Sequence, residues 1–117
     1  MHYVGVDLHR HVISLCVVVQ FESGRIVAKR RNFRCADASG LRAFFDELRP
    51  FAVVVEATAT YEWFVQLVEP LAERVVLAHP KKLRIIAEST RKTDKLDAQV
   101  LAEFLALGMI PQAHRPT

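Results

Sequence analysis

The order of apolar patterns along the chain predicts an α/β fold, a mixed five-stranded sheet with helices on its faces. Two observations carry that expectation. Three short strand-like segments joined by brief turns open the sequence, as in an antiparallel meander. Two strand–helix–strand units follow, and their right-handed crossovers bring the strands they join into parallel pairing. The 117 residues amount to one domain, with enough chain to bury a single core.

Residues 3–8 read as the first strand and 12–20 as the second, which is rich in β-branched side chains. Glu22-Ser23-Gly24 signals a turn, and 25–33 alternates enough to form a third strand. Over 39–49, Leu41, Phe44, Phe45 and Leu48 fall on one helical stripe. Ser39 or Asp37 can cap that helix, and Pro50 stops it. Residues 52–56 are apolar on both faces, as a covered central strand requires.

Helical spacing returns over 61–73 through Phe64, Leu67, Val68 and Leu71, with Pro70 set to kink or break the helix. Trp63 and Phe64 read as core rather than as base-stacking rings. A short strand over 75–78 is closed by Pro80, and a basic helix over 81–88 follows. A longer helix over 94–107 ends at Gly108 as its C-terminal cap. This β-β-β-α-β-α-β-α-α order is that of the ribonuclease-H-like architecture. Beyond Gly108 the pattern dissolves. Residues 1–108 therefore read as the domain and 109–117 as a linker, in which the chain looks cut before a further domain.

Composition removes several classes. The longest apolar run is 12–19, even with Ser14 allowed, far short of the roughly 18 residues a membrane span needs. The start leads straight into a strand pattern without a secretory leader. Cys16 and Cys35 are isolated and share no zinc-ligand spacing with histidine, which fits a reduced, intracellular protein. Net charge is +3. Its distribution says more than its size, because Arg25, Lys29, Arg30, Arg31 and Arg34 crowd one stretch, and Lys81, Lys82, Arg84, Arg91, Lys92 and Lys95 another. Such clusters suit a phosphate backbone, or are simply solvated faces.

The acidic residues carry the chemistry. Asp7 lies near the carboxyl end of the first strand and Glu56 ends the fourth. If those strands are parallel neighbours, their ends meet at the switch point of the sheet, where ligand sites form. Two carboxylates there repel, so one takes a proton or a cation sits between them. Asp94 and Asp97 are one turn apart on a helix face. Four such hard oxygen ligands suit Mg²⁺ or Mn²⁺, and a metal pair roughly 3.5–4 Å apart activates a nucleophile and stabilises a leaving oxygen in phosphodiester transfer. The alternative stays open on spacing alone: Asp94 as N-cap and Asp97 at the third helical position would serve the helix start without any metal. The five histidines show no ligand geometry, although His9 and His79 fall near strand ends on the side of these acids.

Three blocks then go beyond generic pattern: Val4-Gly5-Val6-Asp7-Leu8-His9-Arg10, Val55-Glu56-Ala57-Thr58-Ala59-Thr60-Tyr61, and Lys92-Thr93-Asp94-Lys95-Leu96-Asp97-Ala98 with Leu101-Ala102. In order and spacing they resemble the DEDD transposases of the insertion-sequence 110 family, over the whole chain. Ala59 stands where that family usually has glycine. The resemblance implies a RuvC-like domain in which Asp7, Glu56, Asp94 and Asp97 bind Mg²⁺ or Mn²⁺ and act catalytically. It implies a DNA transposase that excises and inserts a mobile element under a guide RNA, in the cytoplasm of a bacterium or archaeon on nucleoid DNA, homo-oligomeric when full length and with no membrane partner. It implies a C-terminal transposase domain carrying a nucleophilic serine, so that this chain alone binds metal without recombining DNA. Arg91, Lys92 and Lys95 would then hold phosphates beside the metals, Lys81, Lys82 and Arg84 would contact DNA or guide RNA, and the Arg25–Arg34 group would either do likewise or protect a sheet edge.

Three other readings share part of this pattern. A Holliday-junction resolvase shares the fold and a carboxylate tetrad but not the Lys-Thr-Asp-x-x-Asp-Ala block. Actin-like sugar kinases need glycine-rich phosphate loops, and the four glycines here form no such cluster. A truncated nucleic-acid-binding or dimerising module would lack activity altogether.

Overall fold

Three strands follow one another through tight turns: β1 (His2–Leu8), β2 (Val12–Phe21) and β3 (Gly24–Arg34). The computed structural model describes residues 1–58, 61–90 and 97–113, the side chains of 89 and 90 excepted. Ala59, Arg91, Lys92, Asp94 and Lys95, all singled out above, lie outside the described residues. The chain continues through α1 (Ala38–Leu48), β4 (Phe51–Glu56), α2 (Glu62–Val68), β5 (Arg74–Ala78), α3 (Pro80–Thr90) and α4 (Ala98–Leu107). The meander pairs antiparallel, while β4 lies parallel to β1 and β5 parallel to β4, giving the order β3-β2-β1-β4-β5. The mixed five-stranded α/β sheet is thus as expected, and it is consistent with a ribonuclease-H-like fold.

Strand alternation sorts the side chains onto two faces. Val4, Val6, Ile13, Leu15, Val17, Val53 and Val55 meet Leu41, Phe44, Phe45 and Leu48 of α1 and Phe64, Val65 and Val68 of α2. The rings in this core meet mostly edge to face, the arrangement their quadrupoles favour, with centroids 5.5 Å apart for Phe33–Phe44 and 5.4 Å for Phe44–Phe45. On the other face, Ala52, Val54, Val76 and Ala78 meet Leu83 and Ala87 of α3 and Val100, Leu101, Phe104 and Leu105 of α4. Beside them Cys16 and Val18 meet Ala98 and Ala102.

Position 5 decides how α4 lies. A Cβ on Gly5 would fall 1.9 Å from the Ala98 carbonyl oxygen and 2.5 Å from the Ala102 nitrogen. Both are main-chain atoms and cannot rotate aside. Glycine here, facing two alanines, lets the helix backbone rest directly on the strand.

Two helices differ from expectation at their ends. α2 stops at Val68, not residue 73. Pro70 offers no N–H to the helical ladder, and its ring would collide with the carbonyl four residues earlier, so the chain breaks rather than kinks. α4 begins at Ala98, not residue 94. At the other ends the expected caps hold: Asp37 accepts from the Gly40 N–H at 3.0 Å, and Gly108 adopts φ 71°. After Gly108, the His79 N–H donates to the Pro111 carbonyl at 2.7 Å and the Ala113 N–H to that of Leu77 at 2.8 Å. The described part of the tail is therefore tied along β5. No helix among the described residues is long and apolar enough to cross a membrane.

Replacing Gly5 by alanine forces a main-chain shift that no rotamer relieves. We expect a loss of about 2–3 kcal/mol, read as a lowered urea midpoint. An unchanged midpoint would show that α4 can lift off without cost.

Candidate functional site

Pairing of β1 with β4 brings the first two acids together. Val6 and Val55 are register partners, so Asp7 and Glu56 follow at the same level on adjacent parallel strands. Alternation turns both toward the face of Gly5 and Val54, the side covered by α3 and α4. They share a small cleft with Leu8 and Thr58. Glu56 is half-buried, and burial pushes its carboxyl above the ordinary 4.5. Arg84 of α3 pulls in the opposite direction, and the negative charge of Asp7 pushes the same way as burial.

Asp97 comes from the other side. It is the N-cap of α4, with extended backbone at φ −100° and ψ 178°, and its Oδ1 accepts from the Val100 N–H at 3.0 Å. This corrects the expectation of Asp94 as cap and Asp97 inside the first turn. An N-cap must leave helical backbone angles while its side chain satisfies an orphan N–H two or three residues on, and Asp97 does both. Among the described residues only Oδ1 is engaged, which leaves Oδ2 for a second partner.

Asp97 and Asp7 line a larger open cleft of about 460 Å³ between the β2–β3 ribbon and the start of α4. His9 joins them there, its Nε2 3.0 Å from Asp7 Oδ2. Asp7 thus borders both clefts, one shared with Glu56 and one with Asp97. Asp94 lies outside the described residues. Among the described residues no three His, Cys, Asp or Glu side chains lie close enough to hold a metal ion.

The basic residues divide. Lys81, Lys82 and Arg84 are exposed on α3, which buries Leu83 and Ala87 instead. Arg84 is near enough to act on the Glu56 carboxyl, so it belongs to the acidic end of the sheet. Arg91, Lys92 and Lys95 lie outside the described residues. Sequence reasoning missed Ser14, Asn32 and Gln99, which line the larger cleft. Counting strand register outward from the two meander turns could have found the first two, since Asp7 pairs with Ser14 and Ser14 with Asn32.

A raised acid makes its charged form costly in the folded state. Between 4.5 and the raised native value the folded chain holds more protons than the unfolded one, so stability falls as pH rises through that window. In metal-free buffer Glu56→Gln is expected to reduce that fall and to be more stable than the parent at pH 8, measured by urea unfolding across pH. Equal slopes would remove Glu56 as the source.

Among curated proteins none matches the chain. The sequence model of the insertion-sequence 110 DEDD family, described as a transposase, matches residues 4–116. Nearly the whole chain is covered, including Asp7, Glu56 and Asp97, and a transposase is a nucleic-acid-processing enzyme that acts on DNA. The chain belongs to the insertion-sequence 110 family of DEDD transposases.

Proposed function

We propose that this domain is the metal-dependent catalytic half of its transposase, with Asp7, Glu56, Asp94 and Asp97 holding Mg²⁺ or Mn²⁺ where DNA is cut and joined. The observation that supports this most is the parallel pairing of β1 and β4, which sets Asp7 beside Glu56 on the face that α4 covers.

The donor set suits such an ion. All four side chains offer hard carboxylate oxygens. Asp7 and Glu56 sit together with Glu56 poorly solvated, a pairing that a cation relieves. Asp97 caps its helix through Oδ1 and keeps Oδ2 for a ligand role, so capping and metal binding are compatible in one residue. When bound, divalent ions at such acids activate the attacking oxygen and stabilise the leaving one.

The chain's own residues supply the rest. Arg84 offsets negative charge beside Glu56, and its exposed neighbours Lys81 and Lys82 meet phosphates. Arg91, Lys92 and Lys95 would do so next to Asp94. In the whole protein a C-terminal domain brings the serine nucleophile, a guide RNA selects the site, and several copies assemble.

Titration calorimetry with Mn²⁺ tests the reading. Asp7→Asn and Glu56→Gln are expected to weaken binding at least about tenfold. Asp97→Asn is the sharper variant, because asparagine caps a helix as well as aspartate does. It should keep the parent's melting temperature and lose metal affinity. Unchanged affinity in Asp97→Asn would reduce Asp97 to a cap alone.

A further inference from the structure

The row of paired residues that holds Asp7 continues away from Glu56. Asp7 pairs with Ser14, and Ser14 with Asn32. The next row holds Gly5, Cys16 and Arg30. Alternation puts Ser14, Asn32 and Arg30 on the face of Asp7. All three line the larger cleft, together with Asp97 and Gln99.

Arg30 is held there. Its Nη2 donates across the cleft to Gln99 Oε1 on the first turn of α4, and Gln99 Nε2 donates in turn to Glu103 Oε1 at 2.7 Å. An amide fixes the guanidinium without neutralising it. Among the described residues no carboxylate forms an ion pair with Arg30. Its neighbour Arg31 is engaged differently, lying 5.4 Å from the Phe33 ring centroid and 5.7 Å from that of Phe44. The basic stretch of β3 is therefore not one solvated face: both arginines border the cleft, but Arg31 covers aromatic rings while Arg30 is fixed to an amide across it.

We infer that this cleft is a phosphodiester-binding subsite for a DNA strand approaching the acids. Arg30 supplies the charge, Ser14 and Asn32 supply neutral donors, and Gln99 is a positioning residue that aims the guanidinium. The carboxylates at one end repel a phosphate and the guanidinium at the other attracts it, so the cleft has a direction. A strand held at Arg30 runs from there toward Asp7 and Asp97. That direction rests on the proposed metal centre; the grip on the phosphate does not.

The test is fluorescence anisotropy of a short labelled DNA strand, its duplex and an RNA of the same sequence, titrated with the chain across a salt series in EDTA. Arg30→Gln should weaken DNA binding roughly tenfold and flatten the dependence of log K on log salt by about 0.7–1. Arg30→Lys should keep that salt slope. Gln99→Ala should weaken binding less and also keep the slope. Arg42→Gln, exposed on α1 across the sheet from this cleft, should bind as the parent does. Mn²⁺ affinity of Arg30→Gln, measured separately, should equal the parent's. If the parent binds no Mn²⁺ yet the Arg30 effect holds, the subsite stands and the metal reading falls. Parental affinity and slope in Arg30→Gln, no DNA binding by the parent in EDTA, or a loss confined to RNA would each overturn the subsite.

Discussion

Ala98 and Ala102 of α4 rest on the main chain of β1, where Gly5 has no Cβ to hold them off. Much of the site follows from that contact. Asp97 immediately precedes Ala98, so its height above the sheet is fixed by a backbone approach that tolerates no added atom. The same approach starts α4 over the end of β1 that carries Asp7, and it puts Gln99 within reach of Arg30 on the edge strand. The larger cleft is the space left where the β2–β3 ribbon extends past the helix. A bulkier residue at 5, 98 or 102 would lift the helix and widen the gap between the acids on the sheet and the acid above it.

Charge arrangement is the second constraint. On its own, a half-buried glutamate beside an aspartate is unfavourable, and the folded chain answers with one guanidinium, Arg84, and a raised Glu56 carboxyl. His9 lies against the far side of Asp7. None of these needs to survive a change of partner, since each is a surface or half-buried group that can swing away. The sheet, by contrast, holds the carboxylates in register whatever sits between them. A rigid acid pair with adjustable cationic neighbours suits the proposed role of taking up metal and nucleic acid together.

Much of the fold was legible from the chain because its signals are local. The valine-rich run before Glu56 marked a covered central strand, the Leu41–Leu48 stripe marked α1, and Gly108 marked the end of α4. The readings that slipped depended on competition between local rules. Helical spacing carried the second helix to residue 73 with a kink or break expected at Pro70, and it is the break that forms. The Asp94–Asp97 spacing put the cap three residues early, at Asp94, while the cap geometry belongs to Asp97. Asp7 and Glu56 were legible as partners because both end strands in a parallel pair. Ser14, Asn32 and Gln99 were not, being neutral side chains whose meaning lies in register and in the nearness of residue 30 to residue 99. The same holds for Gly5, whose partner lies more than ninety positions away in the sequence.

Asp7, Glu56, Asp97 and Asp94 are proposed to form one divalent-cation site. It is tested most directly by anomalous diffraction from crystals of the chain soaked in Mn²⁺. A peak is expected at the carboxyl ends of β1 and β4, within coordination distance of Asp7 and Glu56 and reached by Asp97 Oδ2 while Oδ1 keeps its bond to the Val100 N–H. Crystals saturated with Mn²⁺ but lacking density between those carboxylates, or a peak held elsewhere on the surface, would contradict it.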